Sequence, residues 1–456
     1  VQYDFKQLIN DKDFDKIIEI CEETPPPSVA ELISTLEDST IYTVLSIIKN
    51  IDVKSEIFTY LPIDHQIQLS KIISKSELAD IITNMSPDDR VDLYKKSPDE
   101  IKDLLTRHLA RAEREDIIKL SSYSERTAGA VMTSDYAALL ADFTINEAID
   151  HLRKEAPDKE TIYYAYVIDH NRHLIGSVSL RELILAPSYL KVKDIMATEV
   201  IFANINDDQE DIAKKIEKFD LIAIPVVDDS NVLLGIVTHD DAFDIIRQEQ
   251  TEDVEKMMGI TGYHQTGVYL KTPSLTHFKN RVTWIVILAF LGSITAMVVH
   301  RFENVIQQLT ILTVYMPLLT ETGGNTGSQS ATVVIRALAL GELSYRDIPK
   351  VLFKEFKISF LLAIILALFI LLRVYIFNFE NSSTILTLDQ VAIIVSAAIA
   401  IQTISATLLG ALLPLIVNKL KLDPALIASP ALTTIVDISG LLIYLSIAQF
   451  FLNNTV

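Results

Sequence analysis

Two segments of the C-terminal half hold polar side chains where the surrounding hydropathy would exclude them. The first runs from Pro317 to Ser330 and includes Glu321, Thr322, Gly323, Gly324, Asn325, Thr326, Gly327, Ser328 and Gln329. The second includes Thr433, Thr434 and Asp437, with Gly440 one turn on. A carboxylate in the middle of a membrane helix costs about 2.5–3.5 kcal/mol on insertion scales, so it marks a functional site by default. The paired glycines ahead of Asn325 are expected to break their helix and free backbone carbonyls, which survive at that depth only against protein or a wet cavity. Glu321, Gly324, Asn325, Thr433, Thr434 and Asp437 then outline an ion pathway shared by two spans. A plainer alternative is that Asp437 only accepts a hydrogen bond from a neighbouring Thr or Ser.

The donor set narrows the ion. Asn, Thr, Glu and Asp supply hard oxygen, and neither segment contains Cys or His, which suits Mg2+, Ca2+ or Mn2+ over softer metals. Mg2+ keeps several waters, so one or two carboxylates with amide oxygens can bind it hydrated. This chemistry does not separate Mg2+ from Mn2+. The glycine run is no Walker phosphate loop, because Ser328 stands where that motif needs Lys after its last Gly.

Hydropathy and charge set the elements that must position these groups. Of 40 Lys/Arg and 60 Asp/Glu in 456 residues, only 10 and 9 fall from Arg281 onward, so residues 1–280 carry a formal −21. That acidity excludes a nucleic-acid partner and favours cations. The single cysteine, Cys21, rules out an internal disulfide or a Cys-cluster metal site. No secretory leader is read in residues 1–20. Apolar stretches at about 282–299, 305–340, 358–379, 391–417 and 430–452 predict five membrane spans. Arg336, Arg346, Lys350, Lys354, Lys357, Lys419 and Lys421 fall on one side, with Arg301 and Arg373 on the other. This bias predicts an acidic half in the cytoplasm and a C-terminus outside a plasma (inner) membrane.

Residues 1–128 read as short stacked helices, with starts at Leu61-Pro62, Ser86-Pro87 and Ser97-Pro98. Residues 129–247 repeat internally. Ala130-Val131-Met132-Thr133 answers Asp194-Ile195-Met196-Ala197, Val167-Ile168-Asp169 answers Val226-Val227-Asp228, and Gly176 answers Gly235. Each copy predicts strand, turn, strand and a helix starting at Ser179 or Thr238. The repeat resembles the tandem CBS module, whose Thr and Asp often hold a ribose. That implies ATP or another nucleotide at Thr238 and Asp241, with Ser179 and Glu182 in the equivalent places of the first copy. Both pairs also serve as helix caps. Beyond Asp241 the chain stays helical to Met258, with Glu249, Glu252 and Asp253 on one face, a like-charge arrangement that asks for a cation. Gly259 and Gly262 are expected to loosen the connector that follows.

Taken whole, the Thr322–Ser330 segment, the Pro430–Asp437 segment, the CBS pair and the acidic linking helix resemble the MgtE family of magnesium channels. The resemblance implies a multidomain membrane protein: an all-α superhelical N-domain (1–128), α/β CBS domains (129–188 and 189–247), a long linking or plug helix and connector (248–280) and a five-helix α transmembrane pore domain (281–456). It also implies a homodimer in a lipid bilayer with Asp437 at the ion site of a pore on the dimer axis and Asn325 as its helix-break partner. Cytosolic Mg2+ would be sensed by Glu56 and Asp88, by Glu210, Asp220 and Asp241, and by Asp244, Glu249, Glu252 and Asp253. The function expected is Mg2+ import through a channel closed by Mg2+ itself, with no enzymatic activity. A secondary transporter exchanging Mg2+ for Na+ or H+ is the nearest rival. An intramembrane aspartyl hydrolase needs two close acids, for which Glu321 is the partner read deep in a span. A nucleotide-sensing scaffold is the third alternative.

Overall fold

The computed structural model describes residues 5–11, 13–260, 272–377, 386–427 and 429–455. Residues 261–271, which include Gly262 and part of the connector, lie outside the described residues, as do residues 378–385 between the third and fourth expected spans. The chain divides into two compact units, Val1–Gln248 and Glu249–Val456.

The first unit opens with α1 (Phe5–Asn10), α2 (Phe14–Glu23), α3 (Pro26–Ile33), α4 (Asp38–Ile47), α5 (Ile51–Tyr60), α6 (Ile63–Ile72), α7 (Lys75–Thr83), α8 (Pro87–Lys96), α9 (Asp99–His108) and α10 (Arg111–Ser121). Beyond α1, which packs on α2, the helices pack on those two places along: α3 on α5, α5 on α7 and α7 on α9 in one column, α2 on α4, α4 on α6, α6 on α8 and α8 on α10 in the other. Such a two-column stack buries one stripe per short helix and builds a superhelical array. Helix starts follow local chemistry. Pro87 occupies the first turn of α8 after Ser86, with Asp88 and Asp89 against the positive end of the helix. At α9 the expected Pro98 start moves one residue, with Pro98 as the cap.

After α11 (Ala128–Val131), each CBS copy is a three-stranded sheet. The first has β1 (Tyr136–Leu140), β2 (Thr161–Ile168) and β3 (Leu174–Ser179), with α12 (Ile145–Glu155) and α13 (Leu180–Leu185). The second has β4 (Ala203–Asn204), β5 (Ala223–Val227) and β6 (Leu233–Thr238), with α14 (Gln209–Phe219) and α15 (His239–Met257). The hairpins share a register, Val167 opposite Gly176 and Val226 opposite Gly235. In both turns an Asp accepts two backbone N–H bonds, Asp169 from Asn171 and His173, Asp228 from Ser230 and Val232.

The copies also exchange segments. Thr133 bridges to Ile236 of the second sheet, and Ala197 bridges to Ser177 of the first. The repeated glycines sit where this exchange passes. A Cβ on Gly176 would lie 2.8 Å from the Met196 sulfur, and one on Gly235 2.8 Å from the Met132 sulfur. One apolar core runs from Ile17 and Phe58 of the helical array into Ile224 and Val237 of the second CBS copy.

The second unit holds α16 (Ser274–Arg301), α17 (Glu303–Gln308), α18 (Met316–Ala339), α19 (Ile348–Phe377), α20 (Leu388–Lys419) and α21 (Ser429–Thr455). Among the described residues, α16, α20 and segments Tyr345–Ile376 and Pro430–Asn454 are long and apolar enough to cross a membrane. At about 1.5 Å per residue, α18 extends about 36 Å, enough for a roughly 30 Å hydrocarbon core, and it carries the polar segment.

Two expectations change here. Gly323, Gly324 and Asn325 do not break their helix, since α18 is continuous from Met316 to Ala339. The glycines instead let helices approach: the Gly410 Cα faces the Gly327 backbone, and a Cβ on Gly327 would meet Ala406 O at 3.1 Å. Small residues serve close helix packing in membranes as readily as they break helices. The third span also begins earlier than its apolar run. The helix starts at Ile348, so Lys350, Lys354, Glu355 and Lys357 are helical.

Candidate ion pathway and acidic seam

Helix α18 has two faces. Gly323, Gly324, Gly327 and Ser330 are buried against neighbouring helices, whereas Glu321, Asn325 and Gln329 form an exposed polar stripe at i, i+4 and i+8. The buried face packs on α20 and α21. A Cβ on Gly324 would touch the Thr433 methyl at 3.1 Å, and the Val436 side chain lies against Gly323 and Gly327. Asp437 follows Val436 and therefore lies on the layer of α18 that holds Asn325. Its half-buried carboxylate makes no hydrogen bond or ion pair with the described residues, so it is not an acceptor for a neighbouring Thr or Ser. Thr434 instead donates to Pro430 O at 3.1 Å. Gln402, fully buried, donates to Val436 O at 2.8 Å and pins α21 to α20 beside this layer.

The end of the linking helix reaches the same unit. Lys256 Nζ lies 2.8 Å from Glu252 Oε1 and 2.8 Å from Asp423 Oδ2 in the α20–α21 connection. The cation that the acidic face called for is thus partly internal: burial alone would lower the Lys256 ammonium, and Asp423 and Glu252 together outweigh it and hold the group above its ordinary value. Met257 packs on the cluster of Ala331, Ile335, Ala406, Leu432 and Val436. Glu249 is buried, Asp253 half-buried, and Asp244 exposed, 3.9 Å from Arg247.

In the first unit, acids gather between the helical array and the CBS pair. Asp88 and Asp89 begin α8, Asp240 and Asp241 begin α15, and Glu160 precedes β2. Asp88 is pushed well above the carboxylate range by burial and then by Asp241, and its Oδ1 is buried without a hydrogen-bond partner. Burial, then Asp241, Asp240, Asp89 and Asp135 raise Glu160 to about 7. Burial raises Asp241 to about 6 despite the Thr238 hydroxyl that donates to it at 2.6 Å. Glu56 is exposed on α5 and acts with Asp240, Asp89 and Glu160 on Tyr60, placing it at the rim. Nearby cations are Arg90, 3.9 Å from Asp135, and Lys96, which partly offsets the upward push on Asp89. At pH 7 the shift of the partly buried Asp241 costs on the order of 3 kcal/mol, whereas Glu160 is exposed to solvent, so screening leaves it a smaller share.

The structure therefore joins Asp88 with Asp241 and adds Glu160, Asp240 and Asp89, which spacing alone did not single out. Glu160 lies 81 residues before Asp241, so the sequence carried no local signal for it. Glu210 and Asp220 are not brought together: Glu210 pairs with Lys214 at the start of α14, and Asp220 caps its far end in a left-handed conformation. Among the described residues, no three His, Cys, Asp or Glu form a ready metal cage. Ser179 and Glu182 close a complete capping box, with Ser179 Oγ donating to Glu182 at 2.7 Å. In the membrane unit sequence reasoning missed Glu355, which is buried on α19; Glu321 lies on the exposed face of α18.

Comparison with known proteins decides the family. A magnesium transporter MgtE from Thermus thermophilus is 35% identical over 98% of this chain and 97% of its own length. The chain belongs to the MgtE family of magnesium transporters. An MgtE relative from Bacillus subtilis is 31% identical over 86% of this chain and 84% of its own. The MgtE divalent cation transporter profile matches residues 316–447, the MgtE intracellular N domain matches 4–126, and CBS domains match 128–189 and 192–248. A solved structure described as the cytosolic domain of the Mg2+ channel MgtE in complex with ATP is 32% identical, covers 53% of this chain and 98% of that one, and has a TM-score of 0.50. The soluble part of a magnesium transporter is 29% identical, covers 54% and 96%, and also scores 0.50. The MgtE relatives are named as transporters, not enzymes.

Proposed function

We propose that this MgtE protein is a homodimeric channel that imports Mg2+ and that Mg2+ closes from the cytosolic side. The observation that carries the reading is Asp437, a half-buried carboxylate with no protein partner among the described residues, on the layer of the Glu321–Asn325–Gln329 stripe. A polar stripe and an unpaired acid on membrane helices need water or a facing copy to solvate them. A pore on a two-fold axis supplies both, with Asp437, Asn325, Glu321, Gly324, Thr433 and Thr434 around a hydrated ion.

Closure is supported by the acidic seam. Protonation or a divalent cation relieves the repulsion around Asp88, Asp241 and Glu160. A cation that binds the docked arrangement better than the undocked one shifts the population toward it. Glu56, Glu210, Asp220, Asp244, Glu249, Glu252 and Asp253 add weaker sites along the same surface and the linking helix. Acidic domains on the cytosolic side and the C-terminus outside follow the Lys/Arg bias. The ATP in the solved relative supports a nucleotide site at Thr238 and Asp241. Titration calorimetry of the full chain with ATP tests this, and absence of heat with intact protein would remove the site.

Mg2+ uptake into proteoliposomes tests the main reading. Saturating, gradient-coupled exchange in place of unitary current steps would favour the secondary transporter.

A further inference from the structure

The buried stripe of α19 is Val351, Glu355, Ser359 and Ala363, at i, i+4, i+8 and i+12. Three of these suit a packed membrane seam; Glu355, 8% exposed, does not. Lys354 and Lys357 point to the exposed side, and the Lys357 ammonium sits 4.3 Å over the Phe353 ring. Among the described residues Glu355 has no cationic partner; its Oε2 accepts one bond, from Ser330 Oγ on α18 at 2.9 Å. Val351, one turn before Glu355, packs with Val334, one turn after Ser330, in a cluster with Ala411 and Leu415. The two helices thus run antiparallel, both packed on α20, and the Ser330–Glu355 bond joins them beside the apolar cluster that Ala411 and Leu415 of α20 complete. Apolar seams slide at little cost, whereas a buried polar pair is satisfied at one register only. Ser330 stands three residues beyond Gly327 and five beyond Asn325, about 7.5 Å of rise.

We infer that Glu355 is a positioning residue for ion passage: through Ser330 it fixes the height of α18 against α19, and so the height of Asn325 beside Asp437. The inference rests on the transport reading and extends it to a residue outside the polar stripe. The role is that of a hydrogen-bond acceptor, which a glutamine amide oxygen also fills.

The test is Mg2+ uptake by the full-length protein in proteoliposomes, with the unsubstituted chain in parallel to separate failure of the transport reading from failure of this one. Glu355→Ala and Ser330→Ala are each expected to lower the maximal rate about three- to tenfold. Their combination should be no worse than either alone, as for partners in one contact, and Glu355→Gln should restore uptake to within about twofold. Ser330→Ala removes one hydroxyl and keeps the test open if Glu355→Ala does not fold. Uptake by Glu355→Gln as poor as by Glu355→Ala would mean that charge matters, overturning the inference. So would normal uptake by Ser330→Ala, or additive losses in the pair.

Discussion

The Asp241 carboxylate, after burial, pushes that of Asp88 upward across the seam between the helical array and the second CBS copy, and one oxygen of Asp88 is buried there without a hydrogen bond. Helix α8 brings one acid through its Ser86-Pro87 start, and α15 brings the other through its Thr238 cap. Two ordinary helix-start signals thus deliver charges to a place where both are costly.

Removing one charge should remove much of the cost. Asp241→Asn is expected to favour the docked arrangement without Mg2+ by about 1–3 kcal/mol and to flatten its Mg2+ dependence. Distances between spin labels on α5 and β2, measured in the full-length protein with and without Mg2+, check this. An unchanged Mg2+ response would take Asp241 out of the sensor.

The pH dependence has a definite sign. Asp241 at about 6 and Glu160 at about 7 both lie above their unperturbed values, so the docked state retains protons the undocked state has lost. Docking without Mg2+ is therefore unpenalised below about pH 4 and loses stability as pH rises to about 7. Saturating Mg2+ should abolish this slope. The same label distances between pH 5.5 and 7.5 report it, and docking that strengthens toward alkaline pH would contradict the geometry.

Lys256 ties the linking helix to the α20–α21 connection through Asp423. Lys256→Gln and Asp423→Asn should each raise the residual flux at high cytosolic Mg2+ a few-fold, with a coupling of about 1 kcal/mol in the double-mutant cycle. Zero coupling would make the ion pair incidental.

Gly327 and Gly410 meet backbone to backbone. Gly410→Ala should cost about 1–3 kcal/mol by overpacking, read as a lower melting temperature in detergent. An unchanged melting temperature would mean the helices can part at no cost.

Much of this architecture was legible from sequence because it rests on local signals. Apolar runs gave the spans, Ser86-Pro87 gave α8, and the spacing of Asp169 to Gly176 and Asp228 to Gly235 gave the paired hairpins. What was not legible depends on partners distant in the chain. Nothing near Gly176 says that Met196 of the other copy crosses it, and nothing near Gly323 says whether a glycine pair bends a helix or receives one. Glu355 was lost in the basic run Lys350–Lys357, which reads as a loop until the Val351, Glu355, Ser359 and Ala363 spacing is taken as one buried stripe. Glu160 joins the acids only through the fold.

Asp437 separates passage from sensing. Asp437→Asn should cut Mg2+ flux at least about tenfold while leaving Mg2+-dependent protease protection of the first unit intact. Flux like that of the unsubstituted protein would remove Asp437 from the path.

The most direct test is current through excised patches containing the purified protein, with Mg2+ titrated on the cytosolic face. The account predicts Mg2+-carried unitary currents whose open probability falls steeply as that Mg2+ rises, and falls no longer when Asp88 and Asp241 are both changed to Asn. Currents indifferent to cytosolic Mg2+, or closure that survives the double substitution unchanged, would contradict it.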